Sequence, residues 1–202
     1  MQYSKKQWIL TMSRYIATYY AANNYAVIRE CTVPDLLEYK NGIFYPDPNK
    51  KLRPDLVAVN HKFEIVIIET KSCPSDFSSD QKWRRYLPLC HKFYFASDPK
   101  TADYIESALQ ANGDKGIGII EVTETGSSML LDNVGFRKSA STHECKASVV
   151  EILWHMALRG SGFIWPGRLQ TGNTFTENKD FWPSAHPFRS KSRCFQGRSP
   201  FL

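Results

Sequence analysis

Residues 53–71 read RPDLVAVNHKFEIVIIETK. A proline–aspartate pair opens the stretch, Glu69-Thr70-Lys71 closes it, and two apolar runs between them part at Asn60-His61-Lys62. The runs LVAV (56–59) and FEIVIIET (63–70) read as the strands of a hairpin. The β-branched residues of EIVII favour strand over helix, and their unbroken apolarity predicts that both faces are covered. In an antiparallel hairpin the start of the first strand lies beside the end of the second, so Asp55, Glu69, Thr70 and Lys71 gather at one end.

Side-chain alternation sharpens this. Ile65, Ile67, Glu69 and Lys71 share one face, and Val66, Ile68 and Thr70 the other. With Asn60-His61-Lys62 as a three-residue loop, Val59 faces Phe63 and Asp55 faces Ile67. Asp55 then shares the face of Glu69 and Lys71, close enough to share a metal; a two-residue turn would flip it to the opposite face.

Two carboxylates and a lysine gathered in this way suit phosphodiester hydrolysis. Asp55 and Glu69 offer hard oxygens for Mg²⁺, for which Mn²⁺ would substitute, with the backbone carbonyl of Thr70 as a further ligand. The metal would activate water and offset charge on the phosphate. Lys71 would orient the water or neutralise the pentavalent phosphate. Glu30, ending YAVIREC, is a candidate third acid reaching the metal from a neighbouring strand. The bland reading of the trio is a salt-bridged edge cluster.

Outward from the hairpin, Trp8, Ile9, Met12, Tyr15, Ile16 and Tyr19 recur at helical spacing over residues 4–22, and Asn23-Asn24 ends that helix. YAVIREC reads as a short strand. Residues 32–53, with Pro34, Gly42, Pro46 and Pro48, read as irregular, with a minor strand at Ile43–Tyr45. SCPSDFSSD reads as a loop with Ser78 or Ser79 as an N-cap, and QKWRRYLPLC as a helix burying Trp83, Tyr86 and Leu87. KFYFAS (92–97) is a strand and DPKTADYIESALQANG a helix; KGIGIIEVT and SSMLLDNVG are two further strands. A capping box at Ser141 and Glu144 opens a helix through HECKASVVEILWHMAL, closed by Gly160. Hairpin and crossover connections both occur, so the fold class is α/β, a mixed sheet flanked by helices.

Gln81 and Lys82 fall at the start of the helix after the hairpin, where they and Arg85 could contact the DNA backbone. Asp76 and Asp80 read as caps rather than ligands. The chain has 202 residues and a formal charge of +6, unevenly spread. Residues 168–202 carry six Lys or Arg against two acids, leaving +2 for the first 167. This arm is interleaved with Phe175, Phe181, Trp182, Phe188, Phe195 and Phe201, suited equally to tracking a polyanion and to packing back on a domain. The division expected is a domain over 1–165 and a basic, aromatic arm over 166–202, with the arm as the docking element for a protein partner or a second copy. Five cysteines without a CxxC pair fit reduced thiols in a cytoplasm better than a disulfide framework. No secretory leader is visible, and no stretch approaches the ~20 apolar residues of a membrane helix.

Pro54-Asp55 with Glu69-Thr70-Lys71 resembles the PD-(D/E)xK nuclease signature, and the order of elements resembles that superfamily's restriction-endonuclease-like core. Pro-Asp also occurs at 34–35 and 46–47, but only the third pair directly precedes a strand that can pair back to Glu69. The longer run DFSSDQKWRRY, followed by CHKFYFA, is similar to the MmcB-like family of predicted DNA-repair nucleases. The matching positions are Asp55, Glu69, Lys71, Asp76, Phe77, Asp80, Lys82, Trp83 and Tyr86. Residues 32–52 exceed the short link expected in that family, and the segment after about 165 has no counterpart in it. The resemblance implies DNA cleavage in repair or recombination. Two other readings stay open: a non-catalytic nucleic-acid-binding module on the same fold, and a subunit active only within a larger complex.

Overall fold

A computed structural model describes residues 4–40, 43–124 and 130–159. The segment expected to form the basic arm lies outside the described residues.

The first helix, α1 (Lys5–Ala22), begins in a full capping box: the Ser4 hydroxyl accepts from the Gln7 N–H, and the Gln7 amide oxygen accepts from the Ser4 N–H. It ends at Asn23, and Asn24 takes a left-handed φ of 64° that turns the chain into β1 (Tyr25–Arg29). β4 (Leu56–Asn60) follows a two-stranded ribbon, β2 (Val33–Lys40) and β3 (Ile43–Leu52). After β5 (Ile65–Thr70) come the short helix α2 (Pro74–Ser79), a 3-10 helix (Trp83–Leu89), β6 (Lys92–Ser97) and α3 (Pro99–Ala111). β7 (Gly118–Val122), a second 3-10 turn (Leu130–Asn133), β8 (Val134–Lys138) and α4 (Val149–Arg159) complete the order.

Six strands form one mixed sheet in the order β1-β4-β5-β6-β7-β8. β5–β6 and β6–β7 are parallel, and β1–β4, β4–β5 and β7–β8 antiparallel. Every residue of β5 is buried, as its apolar run requires. On one face Leu56, Ala58, Val66, Ile68, Tyr94, Ala96 and Ile120 pack under Met12, Ile16, Ala17 and Tyr20 of α1. On the other, Val57, Val59, Ile65, Ile67, Phe93, Phe95 and Ile119 meet Phe77, Trp83, Tyr86, Ile105, Leu109, Ile152 and Met156. The expected α/β architecture is present.

Several local expectations are corrected. The ribbon β2–β3 replaces the irregular stretch over 32–53. Its register shifts around Asp35 let proline sit in paired strands. SCPSDFSSD is not a loop: Pro74 at the first turn starts α2, so Ser78 and Ser79 end a helix instead of capping one. QKWRRYLPLC narrows to the 3-10 helix, in which Pro88 removes a donor and Leu89, not Leu87, completes the buried set. SSMLLDNVG contributes a 3-10 turn before β8 begins at Val134. No helix opens at Ser141. The His143 N–H donates to the His91 carbonyl and the Lys146 N–H to that of Pro88, so this backbone is held by tertiary partners until α4.

Four residues separate β4 from β5, but the Asn60 N–H donates to the Glu64 carbonyl and closes a three-residue loop, His61-Lys62-Phe63, of the length the face argument needs. Phe63 adopts φ 61° and stands exposed, while Asn60 Oδ1 accepts from the N–H groups of Lys62 and Glu64. Val59 therefore pairs with Ile65, not Phe63, and Leu56 with Ile68. The slip is two residues, an even number, so Asp55 stays on the face of Glu69 and moves from beside Ile67 to beside Glu69 itself.

Candidate active site

At this end of the sheet the backbone and the acids are interlocked. The Asp55 N–H donates to Glu69 Oε1 at 3.0 Å. Asp55 Oδ2 accepts from the Thr70 N–H at 2.8 Å and the Thr70 hydroxyl at 2.5 Å. Each carboxylate thus fixes the neighbouring strand's end, and the two are held side by side.

Glu69 is 7% exposed and Lys71 4%. A buried lysine needs a counter-charge. Lys71 Nζ lies 2.5 Å from Asp80 Oδ2, 3.8 Å from Glu69 Oε2 and 5.8 Å from the centre of the Phe95 ring. Asp80 is itself anchored, its Oδ1 accepting from the Lys82 N–H at 2.8 Å. Asp76 accepts from both the N–H and the hydroxyl of Ser72, pinning the chain as it leaves β5 for α2. Asp76 and Asp80 orient the chain but cap neither helix, whose N-cap positions are Cys73 and Lys82, and Asp80 is also the direct partner of Lys71. That role was missed, because nine residues of separation carry no periodicity signal.

Burial first, and the charge of Asp55 second, push the Glu69 carboxyl up to about 8, with Lys71 pulling the other way. Two hard-oxygen carboxylates that disfavour each other's charge form the donor chemistry of a Mg²⁺ site, which takes one or two carboxylates and completes its shell with water and phosphate. A full protein cage is absent: among the described residues no group of three or more His, Cys, Asp or Glu is arranged to hold a metal. Asp80 is instead committed to Lys71.

Glu30 sits beside Asp55 through its backbone, donating its N–H to the Asp55 carbonyl at 2.8 Å with φ 50°. Its exposed carboxylate lies 3.9 Å from Arg53 Nη1. Gln81 and Lys82 are exposed on the link between α2 and the 3-10 helix, and Arg85 lies half-buried in that helix. Trp83 and Tyr86 are core, stacked on Phe93. Arg29, unremarked in the sequence, ends β1 opposite Leu56. Burial, and next the nearby Arg14, hold its guanidinium below the ordinary range.

The comparison with known proteins follows this geometry. The model of the DNA repair protein MmcB-like family matches residues 49–151, which contain the hairpin, Asp55, Glu69, Lys71 and Asp80. The chain belongs to the MmcB-like DNA repair protein family. The match begins inside β3 and ends inside α4, so this MmcB-like chain carries α1, β1 and β2 ahead of the matched span. Among solved structures, a protein of unknown function from Silicibacter pomeroyi is similar at 22% identity and a TM-score of 0.50, over 73% of this chain and 85% of its own. That likeness concerns the fold alone. No curated protein matches the sequence. No helix among the described residues is long and apolar enough to cross a membrane.

Proposed function

We propose that this MmcB-like DNA repair protein is a metal-dependent nuclease that hydrolyses DNA phosphodiester bonds, with Asp55, Glu69 and Lys71 as its catalytic residues. The observation that carries the reading is the pair of interlocked carboxylates with a buried lysine at one sheet end. Structural ion pairs seldom hold two like charges beside each other out of water, and functional sites do so.

Asp55 and Glu69, with the Thr70 carbonyl, would hold Mg²⁺ or Mn²⁺, which supplies a water of lowered pKa and positive charge at the phosphate. Glu69, whose carboxyl burial holds well above the ordinary range, would have to be ionised to serve as a ligand. Thr70 keeps Asp55 in place by donating its N–H and hydroxyl to Oδ2. Lys71, steadied by Asp80, presents a fixed cation to the phosphate as negative charge builds, so no reorganisation is needed at the moment of reaction. The buried Phe95 ring, its centre 5.8 Å from Lys71 Nζ, backs the lysine on the side away from solvent. Gln81, Lys82 and Arg85 follow Asp80 in the chain and would serve as backbone contacts that position the strand without reading sequence.

The test is cleavage of end-labelled single- and double-stranded DNA with Mg²⁺, Mn²⁺ or EDTA, comparing the protein with Asp55→Asn and Glu69→Gln. These near-isosteric variants keep the local hydrogen-bond acceptors. The expected result is metal-dependent cutting that falls by at least about 100-fold in both, with DNA binding in EDTA retained. Cutting that survives in both variants, or that persists in EDTA, rejects the reading.

A further inference from the structure

A cavity of about 210 Å³ lies on the α1 face of the sheet, towards the end of β5 that is opposite Glu69. Its wall is aromatic, with Tyr19 and Tyr20 from the last turn of α1, Tyr25 from β1, Tyr94 from β6 and Phe136 from β8. The rings meet edge-on, Tyr20 and Tyr25 at 5.1 Å and 88°, Tyr94 and Phe136 at 5.5 Å and 80°. That second pair spans an intervening strand, and strands two apart in a sheet are separated by roughly 10 Å. Gly118 of β7 makes the meeting possible. A Cβ there would collide with the Tyr94 ring and come 2.8 Å from the Ala140 nitrogen, so glycine lets the ring lie across β7 towards Phe136.

The polar groups left free in this cavity are donors. Glu64 is already engaged, accepting from the Tyr25 hydroxyl at 2.6 Å and pairing with Lys92 Nζ at 3.0 Å. Tyr20 and Tyr94 are 5% and 6% exposed, and among the described residues neither hydroxyl has a hydrogen-bond partner. Neither oxygen is sealed from solvent. Lys92, which also lines the cavity, has ammonium protons beyond the one that Glu64 takes. Charge then narrows the ligand class. An aromatic cage suits a quaternary ammonium, but Lys92 repels one, and Glu64 beside the lysine opposes a bare phosphate. A flat, neutral ring with acceptors along its edge fits both the walls and the donors. In a chain of a DNA repair family, a nucleobase is the ring of that kind at hand.

We infer that this cavity is a nucleobase-binding pocket, in which Phe136 and the tyrosine rings pack against the base while Tyr20, Tyr94 and Lys92 donate to acceptors on its edge. The base is carried by single-stranded DNA or by a free nucleoside, and the pocket chemistry is the same for both. Asp55 and Glu69 take no part, so the pocket stands independently of the nuclease reading.

The experiment is quenching of 2-aminopurine fluorescence in EDTA, on titration with the full chain. One arm uses a single-stranded oligonucleotide with one central 2-aminopurine, the other the free 2-aminopurine deoxyriboside. Phe136→Ala and Tyr94→Phe are compared with Lys100→Gln, an exposed control on α3 across the sheet. Saturable quenching is expected, weakened at least about 5-fold by Phe136→Ala, the smaller worth of one stacked base. Tyr94→Phe, which keeps the ring and removes one donor, should weaken it about 2- to 10-fold. Lys100→Gln should change nothing. Phe136 is 38% exposed and Tyr94→Phe is nearly isosteric, so both variants should fold, and thermal melting checks that they do. Quenching confined to the oligonucleotide assigns the base to a DNA strand, and equal affinity for the deoxyriboside assigns it to a nucleoside. Quenching absent from both arms, or left intact by either pocket variant, overturns the pocket. Displacement by tetramethylammonium but not by thymidine would make it a cation cage and overturn it as well.

Discussion

The hairpin β4–β5 has two ends built from similar residue types and opposite physics. At the loop end, His61, Lys62 and Phe63 are exposed, and Asn60 satisfies two backbone donors with one side-chain oxygen. At the other end, Glu69 and Lys71 are buried, and four charged groups, Asp55, Glu69, Lys71 and Asp80, are coupled. A charge at the loop end is dissolved in water and costs nothing to hold. A charge at the site end is stable only with its partner. The sheet that continues on both sides of β5, and the α2–3-10 segment laid over its end, make the difference.

The sharpest way to break this contrast is to remove one lysine from each end. Lys71→Ala leaves Asp80 and Glu69 desolvated without their cation and is expected to cost about 3–5 kcal/mol, read by denaturant unfolding. Lys62→Ala should cost less than about 0.5 kcal/mol. Equal small effects would show that the site end is as wet as the loop.

Glu69 sharpens the comparison through pH. Its folded value, about 8, lies above the ordinary 4.5, so the folded protein keeps a proton that the unfolded chain releases. Stability from this group is present below about 4.5 and is lost as pH rises to about 8. Thermal melts without metal should therefore show Glu69→Gln gaining on the wild type across that window, by on the order of 2 kcal/mol at pH 8, with the Lys71 contact limiting the gain. A difference that stays flat with pH would place the Glu69 charge in solvent. The smallest effect belongs to the loop. Phe63 is a bulky residue at φ 61°, and Phe63→Gly should raise stability by about 1 kcal/mol, measured by the midpoint of urea unfolding.

Much of this was legible one strand at a time. EIVII named a doubly covered strand, and β6 runs over the same residues, Lys92–Ser97, that KFYFAS marks. Asp98 caps α3 through the N–H groups of Lys100 and Thr101, in the place where the helix signal began. The face shared by Asp55 and Glu69 survived an error in the loop because a shift of two residues preserves parity. The failures came where backbone groups found partners far along the chain. The Ser141–Glu144 box is a sound local signal, yet His143 and Lys146 bond to His91 and Pro88 instead. The ribbon was not legible because Pro34, Pro46 and Pro48 read locally as breaks, whereas the register shifts around Asp35 accommodate them only once the two strands pair.

The sequence by itself determined which residues meet at the end of the hairpin, because strand alternation and antiparallel pairing are properties of the local backbone. Only the tertiary structure decided what that meeting means in energy. It buried Glu69 and Lys71, brought Asp80 to the lysine from the segment after α2, and left the Arg29 Nε buried without a hydrogen-bond partner. Desolvation depends on what covers a charge, and that cover comes from elements dozens of residues away.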